Sequence, residues 1–325
     1  MTKDIVESFE SSLRELESTA RAVVSLENFI GHYSIESMEG AELDLAIHHI
    51  DGILDSNEII VEDLSLEADG DSGETSAAAA STSDKAEGQT KGEKVKKFAQ
   101  DTLEKMKAKL KTLPEEIKKY AAIIMDTLTN SAKGLSNSAK QILSKLDDVE
   151  ETQSKISGNY SIFTDVRPQA AIASVMKGIV SLGDQSKGAA DVIAKTSDGA
   201  KSTLTLYDYK GTSYEFDGTD KFFDMKLETK KIEINGLSKG DVKLVCENII
   251  KLSDAIETAK DKLPGVADVS NVAISKAESS SNKEGFKAAF ALSTFYRKVV
   301  GGYIKYTIKV SKLALNAANG SIKTS

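Results

Sequence analysis

Residues 93–149, EKVKKFAQDTLEKMKAKLKTLPEEIKKYAAIIMDTLTNSAKGLSNSAKQILSKLDDV, decide the fold class. Val95, Phe98, Leu103, Met106 and Leu110 recur at helical spacing, with lysines on the opposite face. That pattern is an amphipathic helix. Pro114 is expected to break it, and Leu113-Pro114-Glu115-Glu116 makes a good start for the next helix, because proline fits a first helical turn. The second helix carries Ile117, Tyr120, Ala121, Ile124 and Leu128, and Gly134 leads into a third around Ile142 to Val149.

The same period extends in both directions. Upstream it runs from Ile5 to Ile30 through Val6, Phe9, Leu13, Leu16, Ala20, Val23 and Val24, and again from roughly Ala41 to Leu54. Downstream it covers about 169–195, then 238–263 with a stop at Pro264-Gly265, and a long stretch from about Lys283 to Asn319. Gly301-Gly302 inside the last stretch reads as a close packing contact or a kink. β character is confined to about 203–235. Thr203 to Tyr209, the turn at Lys210-Gly211, and Ser213 to Phe216 read as a hairpin, and Lys231-Ile232-Glu233-Ile234 offers a third strand. The expected class is mainly α: a helical bundle-like body with a small antiparallel β element.

Residues 68–92, ADGDSGETSAAAASTSDKAEGQTKG, hold no aromatic or branched aliphatic side chain. They bury too little surface to offset the entropy of ordering and are expected to be a disordered linker. The chain therefore divides into an acidic helical segment 1–67, the linker 68–92 and a lysine-rich body 93–325. Charge sharpens the division. Residues 1–67 hold 3 Lys/Arg against 16 Asp/Glu, whereas 68–325 hold 39 against 34. The two parts have opposite electrostatic sign.

Several function classes lose support at once. No histidine follows His49, which removes His-based general acid–base and triad chemistry from the body. There is no phosphate loop, dinucleotide fingerprint or zinc spacing, so neither an enzyme activity nor a cofactor is expected. The single Cys246 reads as a small buried apolar residue. Asp44, His48, Asp51 and Asp55 share a helical face that a divalent metal could use, but a solvated acidic face is the expectation. Met1 to Glu7 is neither apolar nor basic, so no secretory leader is expected. Lys287, Arg297, Lys298, Lys305 and Lys309 interrupt the most apolar late stretch, 286–310, before a membrane-spanning length accumulates. Tyr207, Tyr209, Tyr214 and Phe216 could stack on bases, though an aromatic face under a helix is the default. After residue 68 the positive charge is almost all lysine, which suits diffuse backbone attraction better than base reading.

The sharpest motif is a serine two residues before a glutamate. It occurs at Ser8-Phe9-Glu10, Ser25-Leu26-Glu27, Ser34-Ile35-Glu36, Ser37-Met38-Glu39, Ser56-Asn57-Glu58, Ser65-Leu66-Glu67 and Ser72-Gly73-Glu74. Seven of the 12 glutamates in residues 1–74 have it, where 10 serines in 74 positions would give about 1.6 by chance. Helix capping does not explain the spacing, since a capping box puts the acid three residues on.

In this clustering, and in the layout of its first 110 or so residues, the chain resembles the internal head (inner-body) proteins of giant tailed bacteriophages of the phiKZ type. The shared layout is an acidic helical leader dense in Ser-X-Glu, a small-residue linker, and then a lysine-rich amphipathic helix such as Lys94-Val95-Lys96-Lys97-Phe98. The resemblance implies a structural protein of the virion interior, made in the host cytoplasm. A prohead protease would cut it after the glutamate of a Ser-X-Glu motif, removing a propeptide that contacts prohead scaffold and core proteins. The mature body would lie against packaged DNA without sequence preference and could be delivered with it to the host. The best cut is then Glu67-Ala68, after Ser65-Leu66-Glu67, where leader meets linker and the backbone is accessible, with Glu74-Thr75 and Glu39-Gly40 as runners-up. A second reading, from a different class, is a membrane-active or host-targeting protein whose amphipathic segments 94–111 and 286–315 dock on lipid or on a partner.

Overall fold

The spine of the molecule is one helix, α3, running from Lys91 to Leu146. At 1.5 Å per residue its 56 residues extend about 84 Å. The computed structural model describes residues 3–59, 90–184, 186–200, 202–219, 225–277 and 282–322. Pro114, expected to end a helix, lies inside α3, and so does Gly134. A proline in a helix interior costs roughly 3 kcal/mol. Leu110, Leu113, Pro114 and Ile117 are all buried, so core packing on both sides of the proline offsets the lost hydrogen bond. The helix begins with a capping box, in which Thr90 Oγ1 accepts from the Glu93 amide and the Glu93 carboxylate accepts from the Thr90 amide.

Ahead of α3 come α1 (Lys3–His32), a single 3₁₀ turn (Ile35–Ser37) and α2 (Gly40–Ser56). After it come β1 (Lys155–Gly158), α4 (Pro168–Asp184), α5 (Ser186–Ser197), β2 (Leu204–Tyr207), β3 (Ser213–Phe216) and β4 (Ile232–Asn235). The chain closes with α6 (Lys239–Lys262), α7 (Gly265–Ala277), α8 (Asn282–Phe295), a π-helical turn (Tyr296–Tyr303) and α9 (Ile304–Ile322). Among the described residues the protein is mainly α, with two small two-stranded antiparallel sheets.

The hairpin expected between Thr203 and Phe216 is present as β2–β3, with Leu204 opposite Phe216. The third strand is not added to it. β4 pairs instead with β1, Ile156 opposite Ile234, so the β content is split between two sheets and reaches back to residue 155. Strands of four residues carry little pattern, and β1 holds only one branched aliphatic residue, Ile156.

Apolar stripes from nearly every helix meet in one core. α6 lies along α3, joined at its edge by Lys133–Glu257 at 2.5 Å and Lys260–Asp126 at 2.7 Å. α8 brings the small buried residues Ala288, Ala289 and Ala291 together with Leu292 and Phe295. The π-helical turn carries Gly301 and Gly302 and aims Tyr296 and Tyr303 inward, where their hydroxyls donate to the carbonyls of Leu263 and Val175 at 3.0 Å. A widened turn, rather than a close helix contact, is what the glycine pair marks.

The acidic segment is part of this core. Phe9, Leu13, Leu16, Ala20, Val23 and Leu26 of α1 are buried, and α1 packs against both α3 and α8. Read from composition, residues 1–67 stand apart from the body; in the structure α1 is one of its packed layers.

Candidate processing turn and the interface beside it

The Ser-X-Glu motifs fall into very different backbone settings. Glu10 and Glu27 lie within α1, where a protease cannot reach an extended chain. Glu36 is in the 3₁₀ turn, and Glu58 lies just past α2 with a positive φ of 54°. Ser65-Leu66-Glu67-Ala68 and Glu74 lie outside the described residues. Glu39 differs from the other described sites. It is exposed, with extended backbone at Met38 (φ −80°, ψ 140°) and Glu39 (φ −137°, ψ 158°), and is followed by Gly40 at φ +55°. Among the described residues the Ser34 hydroxyl makes no capping bond, and those of Ser8, Ser37 and Ser56 donate to carbonyls three or four residues back.

This turn is seated on the start of α3. A Cβ at Gly92 would come within 2.5 Å of the Ile35 carbonyl oxygen and 2.8 Å of that of Glu36, so only glycine permits the approach. Ile35 is fully buried, and Lys96 reaches Glu36 at 3.0 Å. The Glu36 carboxyl is held below its ordinary value by its own turn's backbone N–H and by the Lys96 ammonium.

From the turn, α1 runs antiparallel to α3. Glu36–Lys96, Glu27–Lys107 at 2.8 Å, Glu15–Lys109 and Ser12–Glu116 at 3.5 Å follow one another in opposite chain order. Burial, the largest influence on Lys107, would lower its pKa, but Glu27 and Glu104 together hold it above its usual value. On the other flank, Glu17 accepts from the Ser293 hydroxyl and from Arg297 at 3.3 Å, while Arg297 also lies 3.7 Å from Glu10. Phe9 meets the Tyr296 ring edge-on at 6.1 Å. Sequence reasoning missed the Glu17–Ser293–Arg297 cluster, whose members are nearly 280 positions apart.

Magnitudes decide what holds α1. Ion pairs as exposed as these contribute about 0–1 kcal/mol each. Full burial of an apolar side chain contributes about 1.5–3 kcal/mol, so Phe9, Leu13, Leu16, Val23 and Leu26 supply on the order of 10 kcal/mol before ordering entropy. The apolar stripe provides the affinity, and the charges select register.

Other sequence candidates are placed as follows. His48 Nδ1 lies 2.8 Å from the Asp44 carbonyl oxygen, and the His49 ring packs 4.7 Å from Phe29. Among the described residues no three His, Cys, Asp or Glu side chains come together as a metal set. Phe216 is buried against Phe295 at 6.0 Å, while Tyr207, Tyr209 and Tyr214 are half-buried. Burial pushes the Cys246 thiol up to about 12. Val95, Leu103, Met106 and Leu110, and most apolar residues of 286–315, are buried in the core, while Phe98, Phe286, Phe290, Ile308 and Leu313 are half-buried, so the greater part of the amphipathic faces suggested for lipid docking is occupied. Among the described residues no helix is long and apolar enough to cross a membrane.

What fold and site define together is a class: a mainly α protein whose acidic N-terminal helix is inlaid in a lysine-edged groove of its own body. No protein-family model, curated protein or solved structure matches the chain.

Proposed function

We propose that this is a structural protein of a bacteriophage head interior, made as a precursor and cut within its acidic N-terminal region by the prohead protease. It carries no catalytic role in this reading. The observation that supports it best is the Glu39-Gly40 bond, which joins a Ser-X-Glu motif to an exposed, extended turn. Residues 65–68 remain the preferred cut on sequence grounds.

The packing of α1 changes what the cut accomplishes. Cleavage at Glu39 or Glu67 severs the tether but leaves the buried stripe in place. Full removal requires that α1 fray and be cut again at Glu10 and Glu27. Once α1 and the 3₁₀ turn leave, Lys96, Lys109 and Arg297 lose the carboxylates of Glu36, Glu15 and Glu17, Lys107 keeps only Glu104 of its own helix, and the groove gains a basic edge suited to non-specific phosphate contact. In the precursor the same groove is capped, which keeps the body from DNA and leaves the acidic outer face of α1 for scaffold and core proteins.

The deciding experiment is mass spectrometry of the protein from assembled particles. The expected result is a new N-terminus after Glu39, Glu67 or Glu74, with peptides from residues 3–39 depleted. An intact chain beginning at residue 1 or 2, with those peptides at the abundance of the body's, overturns the proposal.

A further inference from the structure

A groove of 660 Å³ opens between β1 and the second half of α9. Its size falls within the range of small-molecule sites, about 300–1,000 Å³. The α9 wall carries Asn316 and Asn319, about 4.5 Å apart along the axis, so both carboxamides lie on one side of the helix. The β1 wall carries Ser157 and, just past the strand, Asn159. Tyr160 forms the floor. It is 7% exposed, and its hydroxyl sits between Gly158 and Gly320, where a Cβ on the first would come within 2.9 Å of the oxygen and one on the second within 3.7 Å. Both glycines border the groove, so the hydroxyl opens into it. Among the described residues that hydroxyl makes no hydrogen bond, and neither do the Asn316 and Asn319 carboxamides. A phenol so deeply covered ordinarily finds a partner within its own protein. The walls are also fixed: the Gln153 N–H donates to the Ser321 carbonyl at 2.8 Å, the Leu237 N–H donates to the Ser321 hydroxyl at 2.9 Å, and β4 pairs with β1.

We infer that this groove binds a neutral saccharide. Among the described residues that line it only Lys155 is charged, and Lys155 already lies 3.4 Å from Glu233, so an ionic ligand meets no free counter-charge. Each remaining polar side chain, hydroxyl or carboxamide, both donates and accepts. A carboxamide sets a donor and an acceptor side by side, and neighbouring hydroxyls of a sugar ring meet the two together, each giving one bond and taking another. Burial raises the pKa of Tyr160, so its hydroxyl keeps a proton to donate. The inference does not depend on how the N-terminal region is processed.

Saturation-transfer NMR on the full-length chain tests it, with maltotriose, cellotriose and triacetylchitotriose as the probes. At least one is expected to bind. Tyr160→Phe keeps the ring and removes the hydroxyl. Because that hydroxyl has no partner in the protein, the melting temperature should not fall, while the dissociation constant should rise roughly 2- to 12-fold, the effect of one neutral hydrogen bond. Gly320→Ala puts a methyl group beside the hydroxyl at ordinary contact distance, in a helix where alanine is favoured, so the fold should hold and binding should be lost. Should Gly320→Ala fail to fold, Asn316→Ala/Asn319→Ala, at two exposed side chains, takes its place with the same loss expected. No transfer to any of the three sugars overturns the inference, and so does binding that these substitutions leave unchanged. A neutral glycine–serine decapeptide that binds more tightly than every sugar and responds to the same substitutions also overturns it, by assigning the groove to main-chain amides.

Discussion

Replacing Leu16 by alanine separates an inlaid helix from a detachable leader. Leu16 lies at the centre of the α1 stripe and is 0% exposed. Removing a wholly buried leucine costs about 2–5 kcal/mol, the spread reflecting how far the site collapses. Because α1 shares its core with α3 and α8, that loss falls on the whole cooperative unit. For a protein of this size about 3 kcal/mol lowers the melting temperature by roughly 4–5 °C. The body carries its own reporter. Cys246 on α6 is buried and its thiol is pushed up to about 12, so a thiol reagent near pH 7 labels it only when the body opens. Urea titration followed by Cys246 labelling is expected to show the midpoint falling in Leu16→Ala. Leu45→Ala, at a side chain 71% exposed on α2, should stay within about 0.5 kcal/mol of the parent. If Leu16→Ala leaves the Cys246 transition where it was, α1 is not part of the body's core and the packing argument fails.

A glutamate-specific protease under native conditions should cut after Glu39 before it cuts after Glu10 or Glu27, and Glu39→Gln should remove that early fragment; early cuts inside α1 would contradict the backbone assignment. Gly92→Ala should unseat the 3₁₀ turn from α3, costing about 1–3 kcal/mol and accelerating cleavage at Glu39; an unchanged midpoint and cutting rate would show that the close approach is not needed. Acid should loosen the same turn. The folded pKa of Glu36 lies below its ordinary value of 4.5, so its contribution is present above that pH and is lost as pH falls through the lowered value. The stability difference between wild type and Glu36→Gln is thus expected at pH 7 and should vanish on acidification; a constant difference would refute the assignment. Asp51, raised by burial and then by Asp55, works in the opposite sense and is the reason to compare variants rather than wild type alone.

The helical class and the positions of most helices were legible because burial repeats every three or four residues. Leu103, Met106 and Leu110 mark the inward face of α3 without help from the rest of the fold. What local pattern could not supply was the outcome of competition with tertiary contacts. Pro114 signals a break in any isolated peptide, and only the surrounding core keeps the helix running through it. The pairing of β4 with β1 was equally hidden, since 73 residues separate Ile232 from the end of β1 at Gly158, its partner, and neither strand has a long alternating run. At the candidate processing turn the Ser-X-Glu motif was readable, but its accessibility was not. That depends on Gly92 lying under the 3₁₀ turn, a contact that no spacing in the sequence announces. The Thr90-x-x-Glu93 capping box, by contrast, was there to be read and would have set the start of α3 two residues earlier.

The opposite charges of the two ends admit two physical readings, and geometry chooses between them. A strongly acidic segment beside a basic one can mark pieces made to part, or surfaces made to meet. With Glu15, Glu17, Glu27 and Glu36 each facing a Lys or Arg of the body, charge here contributes to docking. Separation is then not driven by the charge difference and has to come from chain scission followed by loss of the apolar stripe. The tether and the stripe are thereby independent controls. Cutting 60–89 alone should yield a nicked protein with the parent's Cys246 protection, whereas cutting within α1 should abolish that protection. If tether cleavage by itself exposes Cys246, covalent linkage rather than Phe9, Leu13 and Leu16 is what keeps α1 in place.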